Sequence, residues 1–163
     1  MREYATQMEA ARKGIITPEM KIVAKKEYRT EEEIREWVAK GQVAICANRL
    51  HTCIDPNGVG SMLRTKINVN LGVSRDCKDY DVEMKKVQAA VDMGAEAIMD
   101  LSSHGNTQPF RRKLTSECTA MIGTVPVYDS VIHYQRDLAT LTAKDFIDVV
   151  RLHAQDGVDF VTL

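Results

Sequence analysis

Three residues of types suited to holding a small molecule recur at an even interval: Asn70, Met99 and Tyr128, separated by 29 and 29 positions. Each falls at or just past the carboxyl end of a stretch that reads as a strand. An amide that both donates and accepts, a soft thioether and a phenol can position a ligand, while none is a strong acid, base or nucleophile. Each also has an ordinary use, Met99 as core and Tyr128 as a rim residue donating one hydrogen bond. Asn70 lies in Lys66-Ile67-Asn68-Val69-Asn70-Leu71-Gly72, where Ile67, Val69 and Leu71 share one face and Lys66, Asn68 and Asn70 the other. Amides on an inward face need partners, which a ligand at the strand end supplies; on an edge strand, water serves instead. A second group, Asn48 and His51 beside Arg49, follows the short apolar strand Val43-Ala44-Ile45-Cys46; a lone histidine after a strand is usually a surface or satisfied residue, and the alternative is contact with an anionic substrate.

Metal chemistry finds no support within the chain. Cys46, Cys53, Cys77 and Cys118 are spaced by 7, 24 and 41 residues, which fits neither close-paired metal ligands nor a disulfide scaffold. Reduced packing thiols are expected. The 22 basic and 23 acidic residues are scattered and nearly balanced, which argues against nucleic acid as partner. No apolar run has the length of a membrane span, and Met1-Arg2-Glu3-Tyr4 lacks the opening of a signal peptide. A cytoplasmic protein with no membrane partner is the expectation.

The elements that must position these residues alternate. Helices are expected at Tyr4 to Lys13, at Pro18 to Tyr28 behind a Thr17 cap, and after Thr30, whose spacing to Glu33 is that of a capping box above a stripe of Ile34, Trp37 and Val38. Gly41 ends the third. Asp55 through Gly60 reads as loop. After the strand at 66–72 come an amphipathic helix from Tyr80 to Met93 with Glu83 on its polar side, a strand at 97–101, a helix from Gln108 to Ser116, and a strand at 121–125. Residues 129–141 are ambiguous. Thr142 caps a helix carrying Phe146, Val149, Val150 and His153, and Phe160-Val161-Thr162-Leu163 begins a fourth strand. Met93-Gly94-Ala95-Glu96-Ala97-Ile98-Met99 is echoed by Asp156-Gly157-Val158-Asp159-Phe160-Val161-Thr162, with an acidic residue two places after each helix-stopping glycine. Such alternation implies a parallel sheet, as barrel or open sheet, with ligands at the carboxyl ends in either.

Four blocks carry a resemblance. Tyr4 to Glu27, with Thr6-Gln7-Met8 and Ala11-Arg12-Lys13-Gly14-Ile15-Ile16-Thr17-Pro18-Glu19-Met20, then Lys66 to Gly72, Met99-Asp100-Leu101-Ser102 and Ile122-Gly123-Thr124-Val125-Pro126-Val127-Tyr128 are similar, in order and at matching separations, to the phosphomethylpyrimidine synthase family, known as ThiC. The likeness extends over essentially the whole chain. It implies an α/β fold, the first half of a (β/α)8 TIM-type barrel (63–163) preceded by an N-terminal helical segment (1–62). It also implies a radical rearrangement of aminoimidazole ribotide to hydroxymethylpyrimidine phosphate in thiamine biosynthesis, with a [4Fe-4S] cluster, S-adenosylmethionine and zinc as cofactors. Asn70, Met99 and Tyr128 match the family's substrate-binding positions.

Two departures qualify this. The family continues past the equivalent of Leu163 into a substrate-binding histidine, further barrel strands, zinc-binding histidines and three cluster cysteines, so this chain alone is expected to be an inactive N-terminal portion or an assembly module, self-associating as a homo-oligomer. Leu50 also stands where the family has an asparagine before the histidine, which keeps 5-hydroxybenzimidazole synthase of anaerobic cobalamin biosynthesis, acting on the same ribotide, as an alternative.

Overall fold

The computed structural model describes residues 3–163, so Met1 and Arg2 of the opening segment lie outside the described residues. The chain divides into two compact units, one formed by residues up to Ala47 with Pro56–Lys66, the other by Asn48–Asp55 with Ile67–Leu163.

In the first unit, α1 (Gln7–Arg12) is shorter than its sequence pattern suggests. The Thr6 hydroxyl accepts from the amide of Glu9, which fixes the helix start there rather than at Tyr4. Helix α2 (Pro18–Glu27) follows a Thr17 cap with proline in its first turn, and α3 (Glu31–Ala39) opens on the full Thr30–Glu33 capping box. Their apolar faces meet in a cluster containing Met20, Val23, Ile34, Val38 and Val43, with Trp37 packed at its side. Strand β1 (Val43–Ile45) pairs antiparallel with β2 (Gly58–Gly60), a segment whose sequence reads as loop. Its glycines suggest a turn; instead they leave no room for side chains, Gly58 running close against Leu63 and Val23 and Gly60 against Gln42 and Val43. Lys66 lies before the strand it was expected to begin and is nearly buried in an ion pair with Glu27.

The second unit is built on a parallel sheet in the order β3 (Asn68–Leu71), β4 (Ala97–Asp100), β5 (Met121–Thr124), β6 (Phe160–Val161). Helix α4 (Tyr80–Asp92) joins β3 to β4, and α5 (Gln108–Glu117) joins β4 to β5. Between β5 and β6 run α6 (Pro126–Tyr134), a 3-10 turn (Leu138–Thr140) and α7 (Ala143–Gln155). Leu71, Ile98 and Ile122 meet Val87, Ala90, Phe110 and Leu114 in one core, where each fully buried side chain contributes about 1.5–3 kcal/mol. Tyr80 stacks on Phe110 with ring centres 5.2 Å apart.

One expectation is corrected here. Glu83 is fully buried rather than on a solvated face, because its carboxylate accepts from the Gly72 amide at 2.9 Å and from Lys86 at 2.6 Å. Tyr128 lies past the end of β5, as expected, and Pro126, with its preset backbone angle, starts α6 there, so Tyr128 lies in a first helical turn.

The internal echo has a structural counterpart. Glu96 accepts from the Ile67 amide and Asp159 from the Ile122 amide, both at 2.7 Å, so each acidic side chain ties the start of its strand to the strand beside it. Gly72 closes β3 with φ of 137°, and a Cβ there would lie 2.5 Å from the Ser102 amide nitrogen. Gly72→Ala is therefore expected to lose about 1–3 kcal/mol in urea denaturation. An unchanged midpoint would rule the crowding out.

Candidate functional site

Parallel register places Asn70 opposite Met99, Met99 opposite Gly123, and Gly123 opposite Phe160. Residues in register on parallel strands share a face, so these four form one row across the sheet, on the side away from Ile98 and Ile122. Asn70 is exposed and Met99 partly so. The Asn68 amide group donates to Asn70 Oδ1 at 2.9 Å, which leaves the Asn70 amide nitrogen as the outward donor. Of the three spaced residues, then, Asn70 and Met99 are brought side by side. Tyr128, 49% exposed, sits four positions beyond Thr124, the last residue of β5.

Directly after Tyr128 lies a buried polar network that sequence spacing did not single out. Asp129 accepts from Thr107 at 2.6 Å, from His153 Nε2 at 2.9 Å and from Arg111 Nη1 at 3.3 Å. Facing a carboxylate, Nε2 of His153 donates, and Nδ1 lies 2.8 Å from the Thr124 hydroxyl, within hydrogen-bond distance. Burial penalises the Asp129 charge, but the hydrogen bonds from His153 and Thr107 and the nearby Arg111 guanidinium outweigh it and hold the carboxyl at about 2. Arg111 in turn bonds Asp156 through Nε at 3.0 Å and Nη2 at 2.9 Å. Asp100, behind Met99, is the opposite case. Burial raises its carboxyl even though Ser102 donates to it twice. A cavity of about 670 Å³ opens beside this network, lined among others by His104, Asn106, Arg111, Asp129 and His133. The sequence signals for the network were His153, aligned with Phe146, Val149 and Val150 on one helix, and the charges of Arg111-Arg112 and Asp156, which periodicity assigns to solvent.

Asn48 and His51 have internal partners instead. His51 is 1% exposed, with Nδ1 at 2.7 Å from Asp159 and Nε2 at 2.7 Å from the Cys118 carbonyl. Both partners are acceptors, so both nitrogens carry protons and the ring is cationic. Burial works against that charge, but the Asp159 carboxylate and the carbonyl prevail and raise the imidazole. The Asn48 side chain donates to the carbonyls of Ala154 and Val158, and its backbone amide to Asp159. Leu50 is 53% exposed on the same loop.

Among the described residues, no group of three or more His, Cys, Asp or Glu is arranged to hold a metal ion. All four cysteines are free, and burial raises the thiols of Cys53 and Cys118, which disfavours the thiolate a metal needs. The residues present do not fit an iron–sulfur or zinc centre. Among the described residues, no helix is long and apolar enough to cross a membrane.

The model of the Radical SAM ThiC family matches residues 6–163. A protein named Phosphomethylpyrimidine synthase from Alkaliphilus oremlandii is 61% identical over 161 residues, covering 99% of this chain and 37% of its own length. Proteins of the same name from Clostridioides difficile and Clostridium kluyveri are 56% and 53% identical over 160 residues, covering 98% of this chain and 37% of their own length. This chain therefore spans about 37% of the length of the curated relatives it matches. With the family model matched along nearly its whole length, the chain belongs to the Radical SAM ThiC family.

Proposed function

We propose that this chain forms part of the substrate site of a thiamine-biosynthetic enzyme that rearranges aminoimidazole ribotide to hydroxymethylpyrimidine phosphate by radical S-adenosylmethionine chemistry. The observation that carries the reading is the register pairing of Asn70 with Met99, on the sheet face turned away from the helical core. The strand order follows chain order with no reversal, which supports a (β/α)8 barrel over a doubly wound sheet, whose order reverses at a switch point. In that barrel β3 to β6 are consecutive staves, and the Asn70 row faces the interior.

The residues then take simple roles. Asn68 holds the Asn70 oxygen, so Asn70 donates its N–H to the ligand; Met99 offers a polarizable apolar contact; and Tyr128 donates its hydroxyl. None moves a proton or forms a bond. The family reading places the reaction on a cluster and S-adenosylmethionine, and among the described residues no set of His, Cys, Asp or Glu would hold such a cluster. The benzimidazole product rested on Leu50, whose side chain is turned to solvent, and the relatives compared all carry the pyrimidine name.

Titration calorimetry with aminoimidazole ribotide tests this. The chain is expected to bind it weakly, and Asn70→Ala to weaken binding by about five- to tenfold, the worth of one hydrogen bond. Binding that is absent, or indifferent to that substitution, would defeat the reading.

A further inference from the structure

Gly123 is the gap in the row Asn70, Met99, Gly123, Phe160. Its backbone does not demand glycine, since its φ lies outside the left-handed region. What demands it is the neighbour. A Cβ built at Gly123 would collide with Cζ and Cε2 of Phe160 and come within 2.9 Å of Cε1. The tip of the Phe160 ring therefore occupies the place where a side chain of β5 would stand. An aromatic ring from β6 lies over β5, held against bare backbone, with Met99 next along the row on β4 and Asn70 beyond it on β3. Phe160 is only partly buried, so part of the ring stays available.

We infer that Phe160, laid down over Gly123, is the stacking platform for the planar heteroaromatic ring of the substrate, and so a further specificity-determining residue of the site proposed above. The inference rests on that reading. Its chemistry is general. A flat five-membered heterocycle gains most from a flat π face, here the face of the Phe160 ring turned away from Gly123, while the amide of Asn70 marks its polar edge and the thioether of Met99 adapts between them. Gly123 is then a specificity residue by absence, because any side chain there lifts the ring away.

The test is a titration of aminoimidazole ribotide into the full chain and into Phe160→Leu, Phe160→Tyr, Gly123→Ala and Asn70→Ala. Phe160→Leu and Gly123→Ala are expected to weaken binding about tenfold, in line with the worth of one stacked ring, and Phe160→Tyr to stay within about twofold. A purely structural Phe160 would instead lower the melting temperature of Phe160→Leu and leave the affinity of the folded chain unchanged. Should Phe160→Leu fail to fold, the unsubstituted chain still decides: an intermolecular nuclear Overhauser effect between the imidazole proton and the Phe160 ring is expected. Its absence in a saturated complex overturns the platform. If Asn70→Ala weakens binding while Phe160→Leu does not, the platform falls and the substrate site stands. If neither matters, or the unsubstituted chain does not bind, both fall.

Discussion

Asp159→Ala is expected to remove about 3–5 kcal/mol from the unfolding free energy, the cost of stripping one partner from a buried ion pair. The Asp159 carboxylate accepts three hydrogen bonds, from the Asn48 amide, the Ile122 amide and His51 Nδ1, each at 2.7 Å. Its side chain and that of His51 are both fully buried. Deleting the anion leaves a cationic ring with no counter-charge and two backbone donors without acceptors, and the loop at 48–55 loses its tie to the start of β6. The loss has a pH signature. The folded imidazole lies above its ordinary 6.5, so its contribution is complete below that value and fades as pH rises through the raised one. Unfolding free energy of the unsubstituted chain should therefore fall from pH 6 to pH 9 by more than that of Asp159→Ala. Urea denaturation across this range measures it. Equal slopes in the two proteins would refute a charged His51.

The contrast between His51 and Asn70 shows what a sequence of this kind discloses. Asn70 and Met99 were legible because one strand-helix repeat fixes the distance between equivalent positions, and the 29-residue interval returned them to neighbouring strands in register. The Glu96 and Asp159 echo was legible for the same reason, although not what those carboxylates bind. His51 was read either as a satisfied residue or as holding an anionic group, and what satisfies it lies 108 and 67 residues away, where no local pattern reaches. Glu83 and Arg111 were hidden by the rule that charge on an amphipathic helix faces water. Each is buried against a partner that the helix itself does not predict: the amide of Gly72 for one, Asp156 for the other. Tyr128 was legible as lying past its strand, but not the helix that Pro126 begins there, since residues 129–141 carried no clear pattern. Phe160 over Gly123 had no signal at all, since a glycine in a strand says only that something comes close.

Arg111→Met is expected to cost about 3–5 kcal/mol at neutral pH, and to cost less in acid. Arg111 is 3% exposed and forks onto Asp156 while reaching Thr107 at 3.1 Å and Asp129 at 3.3 Å, so it neutralises two carboxylates at once. Arg112 also touches Asp156 at 2.7 Å, but from the solvent side with 63% of its side chain exposed, and cannot take over for Asp129. Methionine matches the stem of arginine and supplies no charge. Lysine restores the charge without the planar fork, so Arg111→Lys should recover only part of the loss. The acid limb follows from Asp129. Its carboxyl sits at about 2 in the folded chain against an ordinary 3.8, so its stabilising contribution is present above 3.8 and disappears as pH falls through 2. That depression is worth about 2 kcal/mol, part of it owed to Arg111. Removing the guanidinium raises the folded value toward 3.8, so the substituted chain has less to lose on acidification. Stability curves of the two proteins should converge between pH 4 and pH 2. Curves that stay parallel would mean that His153 and Thr107 alone hold Asp129 ionised.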